Sequence, residues 1–182
     1  NLPPNDCSPK DLATFAMDLS KSQKLRVSII EKAEMESEGF GGILAVGKGS
    51  SSPPKLIIIE YYGTTKSERP IVIVGKAVTF DTGGISIKPA EKMEEMKFDK
   101  CGGCNILGIM KAVSDLNLES NVIGIIPAVE NMPSGSSYRP GDIIRMYNRK
   151  TVEVINTDAE GRIILGDALS YRVKIFAPTA II

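Results

Sequence analysis

The chain has 182 residues, enough for one domain with a sizeable core. Its 22 Lys and Arg balance 22 Asp and Glu, so no strong field draws it to nucleic acid or to an anionic membrane. Histidine is absent, which removes the usual general base, the usual zinc ligand and every Ser-His or Cys-His nucleophile pair. Catalysis would have to rest on carboxylates, Lys, Arg, Cys, Tyr or a metal held by oxygen ligands.

Asn1 to Pro9 is a Pro- and Asn-rich lead-in, and Ser8 stands three residues before Asp11 as a capped helix start. Leu12, Phe15, Ala16 and Leu19 then recur at helical spacing. Leu25 to Ile30 reads as a strand, and Glu31 to Glu38 as a short charged helix ended by Gly39. Gly39, Gly41 and Gly42 predict a flexible turn before Ile43 to Val46, and Gly47 to Pro54 a loop. Lys55 to Tyr62 is a strand, and Ile71 to Val74 suits a central strand buried on both faces. A polar, Gly-rich segment follows to Ala90. Cys101 to Leu116 is a helix, Asn121 to Ala128 a buried strand, and Arg162 to Tyr171 a helix. Ile143 to Tyr147 and Thr151 to Ile155 form two strands about the turn Asn148 to Lys150, and Thr179 to Ile182 begins another. Strands alternating with helices predict an α/β fold with a largely parallel or mixed sheet, undivided by any long linker.

Cys7, Cys101 and Cys104 form no disulfide framework, and no apolar run is long enough to span a bilayer. The start, Asn1-Leu2-Pro3-Pro4, lacks signal-peptide form and an initiator Met, and the chain stops inside an apolar run. The expectation is a cytoplasmic protein, of which this chain is a piece.

The most informative stretch is Asn156-Thr157-Asp158-Ala159-Glu160-Gly161-Arg162. If extended, it sets Asp158, Glu160 and Arg162 on one face, and two crowded carboxylates call for a cation. The alternative is a helix N-cap at Asp158, with Glu160 in the first turn and Arg162 exposed. A second cluster, Gly75 to Lys88, follows the strand at Ile71 to Val74 and carries Lys76, Asp81, Gly83-Gly84 and Lys88. In open α/β sheets ligands bind at the carboxyl ends of such strands; the plainer alternative is a solvated Gly turn. Asp81-Thr82-Gly83 also matches the aspartic-protease triplet, but those enzymes need two such aspartates, and Lys88 favours the ionised form.

In a third cluster, Asp99 stands before a helix, as an N-cap or as a ligand with small residues behind it that let the helix pack closely. Cys101 and Cys104 form a C-x-x-C without a second pair or a His, so two small buried thiols are expected there rather than a zinc or redox site. A fourth, Asn131 to Gly135 with Arg139 to Asp142, is turn chemistry after a buried strand end, placed to line the same cleft.

Together these residues resemble the leucyl (cytosol) aminopeptidases of peptidase family M17. The resemblance is carried by N-T-D-A-E-G-R at 156–162, G-K-x-x-T-F-D-T-G-G-x-S-I-K at 75–88, E-N-M-P-S-G at 130–135 and P-G-D at 140–142. P-P-N-D near the start and A-V-G-K-G-S at 45–50 are similar too, so it covers nearly the whole chain. It implies a three-layer αβα fold with a mixed, largely parallel central sheet. It also implies that residues 1–182 are part of a single catalytic peptidase domain, with an N-terminal domain and the C-terminal part of the catalytic domain outside this chain.

By motif position the resemblance implies a two-metal exopeptidase. Its metal ligands would be Lys76, Asp81, Asp99, Asp158 and Glu160, with Asp81 and Glu160 shared, Asp158 at the more exchangeable site, and Lys76 and Asp99 at the tighter one. Lys88 and Arg162 would be the catalytic cations, Arg162 holding a bicarbonate ion as general base. The ions would be Zn2+, Mn2+ or Mg2+, between which an oxygen-rich site does not choose. Substrates would be peptides with a free N-terminus, leucine-like residues preferred, and the assembly a homo-hexamer; no membrane or nucleic-acid partner is expected. The rival is a non-catalytic metal- or nucleic-acid-binding scaffold that retains the site, or an inactive fragment.

Overall fold

The computed structural model describes residues 2–22 and 24–182; Asn1, part of the expected lead-in, lies outside them. In chain order, α1 (Pro9–Ser22) leads to β1 (Arg26–Ile30), α2 (Lys32–Glu38), α3 (Gly41–Gly47), β2 (Lys55–Tyr62), β3 (Ile71–Val74) and β4 (Ala77–Asp81). Then come α4 (Cys101–Asp115), β5 (Asn121–Asn131), the hairpin β6 (Ile143–Arg145) and β7 (Thr151–Glu153), α5 (Glu160–Phe176) and β8 (Ala180–Ile181). The start of α1 follows from local chemistry. The Asp11 side chain accepts from the Ser8 N–H at 2.9 Å, and the Ser8 hydroxyl accepts from the Asp11 N–H at 3.4 Å, a reciprocal cap. Gly39 ends α2 in the left-handed conformation, φ 85°, its N–H returning to Met35 O.

The main sheet runs β1-β2-β5-β3-β8, with β4 also on β5. β2 is antiparallel to β1 and β5, while β3 and β4 are parallel to β5 and β8 is parallel to β3, so among the described strands of this sheet only β2 runs against the rest. β3 pairs with residues 122–125 of β5 and β4 with residues 128–131, so the two short strands follow one another along a single neighbour. Lys76 sits at the break between them.

Alternation along the strands builds two cores. Leu56 and Ile58 of β2 and Ile123, Ile125 and Val129 of β5 meet Met35 of α2, Ile43 of α3 and Ile163, Ile164 and Ala168 of α5. Ile57, Ile59 and Tyr61 with Val122 and Ile126 face the other way, onto Leu12 and Ala16 of α1 and Ile106, Met110 and Val113 of α4. The result is the expected three-layer αβα fold with a mixed, largely parallel sheet.

Two elements differ from the sequence expectation. Gly41–Gly47, expected as a turn leading into Ile43 to Val46, is helix α3, because the Asp167 carboxylate on α5 accepts from the Ile43 N–H at 2.9 Å and supplies its N-terminal turn with a partner. The Gly-rich segment after β3 contains β4, whose pairing with β5 is tertiary and leaves no alternation to read. The thiol expectation is also corrected. Cys101 is exposed and Cys104 only partly buried, since the buried stripe of α4 is Gly103, Ile106, Met110 and Val113; Cys7 is the buried thiol.

Candidate metal centre

Asp81 is the last residue of β4 and Asn131 the last of β5, so the parallel pair delivers both to its carboxyl edge. Past Asp81 the chain turns through Gly83 and Gly84 at φ 86° and 67°. A Cβ on Gly84 would stand 2.8 Å from Asn131 Oδ1 and 3.0 Å from Thr157 Oγ1, so this turn needs glycine for conformation and for space. The turn brings Lys88 back to the same edge.

Asp99 follows a short 3-10 turn, Met93–Phe98, and the N-cap position of α4 is Lys100, without a side-chain cap bond. The Asp99 carboxylate turns instead to Lys76, its Oδ2 2.8 Å from the ammonium. The close approach of α4 expected from its small residues is present. A Cβ on Gly103 would lie 2.7 Å from the Ala77 Cβ, and the Gly103 N–H donates to Lys76 O at 2.7 Å.

The stretch at 156–162 is not extended. Thr157–Ala159 is a 3-10 turn and Glu160 opens α5, with Asn156, not Asp158, capping the turn by accepting from the Asp158 N–H at 2.8 Å. Asp158 and Glu160 nevertheless both reach the centre, one from the turn and one from the first helical position, whose N-terminal dipole favours a carboxylate. Arg162 is not brought in with them; it is exposed, as the helical alternative expects, because a helix rotates it away from its neighbours two residues back.

The gathered groups are linked by ion pairs. Lys76 Nζ lies 2.8 Å from Asp99 and 2.7 Å from Glu160 Oε1; Lys88 Nζ lies 3.0 Å from Asp81 Oδ2 and also pairs with Asp158. One ligand oxygen each from Asp81, Asp158 and Glu160 falls within 4.8 Å of the others, and this trio could hold a metal ion. Glu160 and Asp81 are each 2 % exposed. Burial works against both ammonium groups, but the hydrogen bonds that Lys76 donates to Asp99 and Glu160, and Lys88 to Asp158 and Asp81, outweigh it and raise both lysines above their ordinary value. Asp99 moves the other way from a simple ion-paired acid. Burial raises its pKa, Lys76 offsets only part of that, and the negative Asp81 and Glu160 add to it.

That balance tests the fit to divalent ions. Four carboxylates share two ammonium groups, so negative charge is in excess. Glu160 Oε2 is buried without a hydrogen-bond partner, while Asp99 Oδ2 has only the Lys76 ammonium at 2.8 Å. A buried carboxylate oxygen lacking a hydrogen bond, in a cluster short of positive charge, suits hard or borderline cations. Asp81 occurs here once, held beside a lysine, which does not match an aspartate dyad sharing a proton.

Three residues that carry no individual role in the sequence reading brace the centre: Asn131 and Thr157, which stand inside the motifs at 130–135 and 156–162, and Tyr138, which stands in none. Asn131 Nδ2 donates to Asp81 Oδ1 at 2.9 Å and to Thr157 O at 3.1 Å. The Thr157 hydroxyl donates to Gly83 O at 2.6 Å and accepts from the Ser86 N–H at 2.8 Å. The Tyr138 hydroxyl donates to Thr157 O at 2.7 Å, and burial, then Glu160, Asp81 and Asp158, push its pKa up. The sequence marks Asn131 as part of a cleft-lining turn after a buried strand, without its bonding role; nothing in the local sequence marks Tyr138. Beside the centre, the β6–β7 hairpin and α5 enclose a largely apolar cavity of about 690 Å³, lined by Met146, Val152, Val154, Asn156, Arg162 and Ile163 among others. Its wall meets the turn that carries Asp158 but includes none of the clustered carboxylates.

An αβα sheet with a carboxylate–lysine cluster at the carboxyl edge of its parallel strands defines an α/β domain with a candidate metal centre. The chain belongs to the cytosol aminopeptidase family, whose catalytic-domain model matches residues 1–182. Relatives named as probable cytosol aminopeptidases are 64 % identical in Cenarchaeum symbiosum (strain A) and 52 % identical in Nitrosospira multiformis, each over the whole of this chain. A crystal structure of the cytosol aminopeptidase from Coxiella burnetii is similar with a TM-score of 0.94 at 40 % identity, over all of this chain and 39 % of that one. The chain spans 37 % and 35 % of the length of the two relatives.

Proposed function

We propose that this chain serves a metal-dependent aminopeptidase that releases N-terminal, leucine-like residues from peptides. The observation that carries this reading is the meeting of Asp81, Asp99, Asp158 and Glu160 with Lys76 and Lys88 at one sheet edge, in a chain of the cytosol aminopeptidase family. Residues 1–182 would form part of a single catalytic domain in a cytoplasmic homo-hexamer. The balanced charge gives no support to the nucleic-acid scaffold.

Two divalent ions, Zn2+, Mn2+ or Mg2+, would be held by these residues, Asp81 and Glu160 serving both, Asp158 one, and Asp99 and Lys76 the other, a reading supported by the oxygen trio of Asp81, Asp158 and Glu160. Bound there, such ions would supply a water activated near neutral pH and a polarised scissile carbonyl. Lys76 is an ammonium in the ion-paired arrangement and could act as a ligand only as the neutral amine, a form that adjacent cations favour. Lys88, held by Asp81 and Asp158, would place a fixed positive charge where an oxyanion develops. Arg162, exposed on the cavity wall, would hold the bicarbonate that takes the place of a histidine base. The apolar lining beside it suits an aliphatic side chain.

The test is metal content per chain together with hydrolysis of leucine amide, before and after chelation, in a protein that includes the remainder of the family's length. Activity should vanish with the metal and return with it. Asp158→Asn and Glu160→Gln should each lower turnover by at least about 100-fold without unfolding the protein. Turnover insensitive to chelation, or retained in both variants, would remove the assignment.

A further inference from the structure

Asn131 is 0 % exposed and ends the central strand. Its amide donates to two oxygens, Asp81 Oδ1 and the carbonyl of Thr157. Both partners accept only, so the amide orientation is determined: flipped, it would set its own oxygen against two others. Asp81 Oδ1 is thereby occupied, also accepting from the Gly83 N–H at 2.9 Å, while Oδ2 faces Lys88. Thr157 is the residue before Asp158 and three before Glu160. One amide therefore joins the end of β4 to the turn that supplies the other two members of the 4.8 Å trio. Thr157 and Ser86 also tie these loops together, and the Gly83 backbone touches both Asp81 and Thr157, but of the described side chains that reach Thr157 only Asn131 also grips a carboxylate of the trio.

Resting on the metal-centre reading above, we propose that Asn131 is a positioning residue that sets the affinity of the centre for divalent cations. It commits one oxygen of Asp81 to the bracing network and leaves the other, Oδ2, turned to the centre beside Lys88. It also fixes the spacing between Asp81 and the Asp158–Glu160 turn. Groups that orient metal ligands in this way are typically worth about 10- to 100-fold in metal affinity.

The experiment is Mn2+ affinity of the purified protein, read by competition with a chromogenic chelator, alongside thermal unfolding. Asn131→Ala should weaken Mn2+ by about 10- to 100-fold, whereas Tyr138→Phe should stay within about threefold of the parent. Tyr138→Phe removes the other side-chain donor to Thr157 O without touching Asp81, so it reports plain loosening of the turn. If Asn131→Ala does not fold, Asn131→Ser gives the same reading with a smaller void. Equal losses in the Asn131 and Tyr138 variants overturn the inference, as does parent-like affinity in the Asn131 variants while Asp81→Asn loses the ion. If Asp81→Asn also keeps parent-like affinity, the metal-centre reading itself has failed.

Discussion

Among the residues of the described core, Arg172 is the least comfortable. It is 0 % exposed, its three guanidinium nitrogens lack hydrogen-bond partners, and its charge rests on the Phe176 ring at 4.0 Å. Burial, partly offset by Tyr171, Glu60 and Tyr62, lowers its pKa to about 10. A buried charge so poorly compensated costs more than the ring returns, so Arg172→Met should raise the unfolding free energy by about 1 kcal/mol or more, read as a higher urea midpoint at unchanged slope. A lower midpoint would mean that a partner holds the guanidinium. The lysines of the centre predict a pH dependence of opposite origin. Lys76 and Lys88 are raised from 10.5, so the folded state holds their protons after the unfolded chain has begun to lose them. Their contribution is fully present below the ordinary lysine value and is lost as pH rises through the higher folded values. Without metal, the urea midpoint should therefore fall more steeply above about pH 10 than it does in Lys88→Met. Which side chains would gather was legible for Lys76, Asp81, Lys88, Asp158 and Glu160 because they sit in long motifs, whereas Asp99 is marked only by its place before a helix. The bracing by Asn131 and Tyr138 was not, because a single Asn or Tyr says nothing about a carbonyl dozens of residues away in sequence.

At the scale of elements, Asp167 does the most joining. Fully buried on α5, it accepts from the Ile43 N–H on α3 at 2.9 Å and from the Tyr147 N–H beyond β6 at 2.8 Å. Burial raises its pKa, and these backbone bonds, with that of Gly42, counter it. Asp167→Ala should cost about 2–3 kcal/mol, measured by chemical denaturation, because it strands several buried N–H groups at once. A loss below about 0.5 kcal/mol would mean that those donors find other acceptors. The same carboxylate explains why α3 was illegible. Gly41-Gly42 before Ile43 to Val46 reads as turn and extended chain, and only a partner 124 residues away makes it helical. Strands β2 and β3 were read with their observed bounds because continuous apolar runs between polar turns need no tertiary information. β4 was missed for the reverse reason: its five residues exist as a strand through the second half of β5.

For the whole molecule, the layered fold followed from alternating apolar strands and helices, while the order of strands did not, since pairing β3 and β4 end to end along β5 depends on the break at Lys76. The excess negative charge at the sheet edge predicts coupling between ion binding and global stability. Mn2+ at 100 times its dissociation constant should raise the unfolding free energy by about 2.7 kcal/mol for one site, visible as a higher melting temperature that chelation reverses. A melting temperature indifferent to the ion would argue that it does not bind the folded form preferentially. No described helix is long and apolar enough to cross a membrane.

The Asp167 clamp has one more consequence. Its two ends hold α5 and the residues just past β6, and these are opposite banks of the apolar cavity beside Arg162. The hollow is thus cast before any guest arrives. The spacing of the two banks is tied to a single carboxylate, so losing Asp167 would loosen the hollow as well as the fold around it.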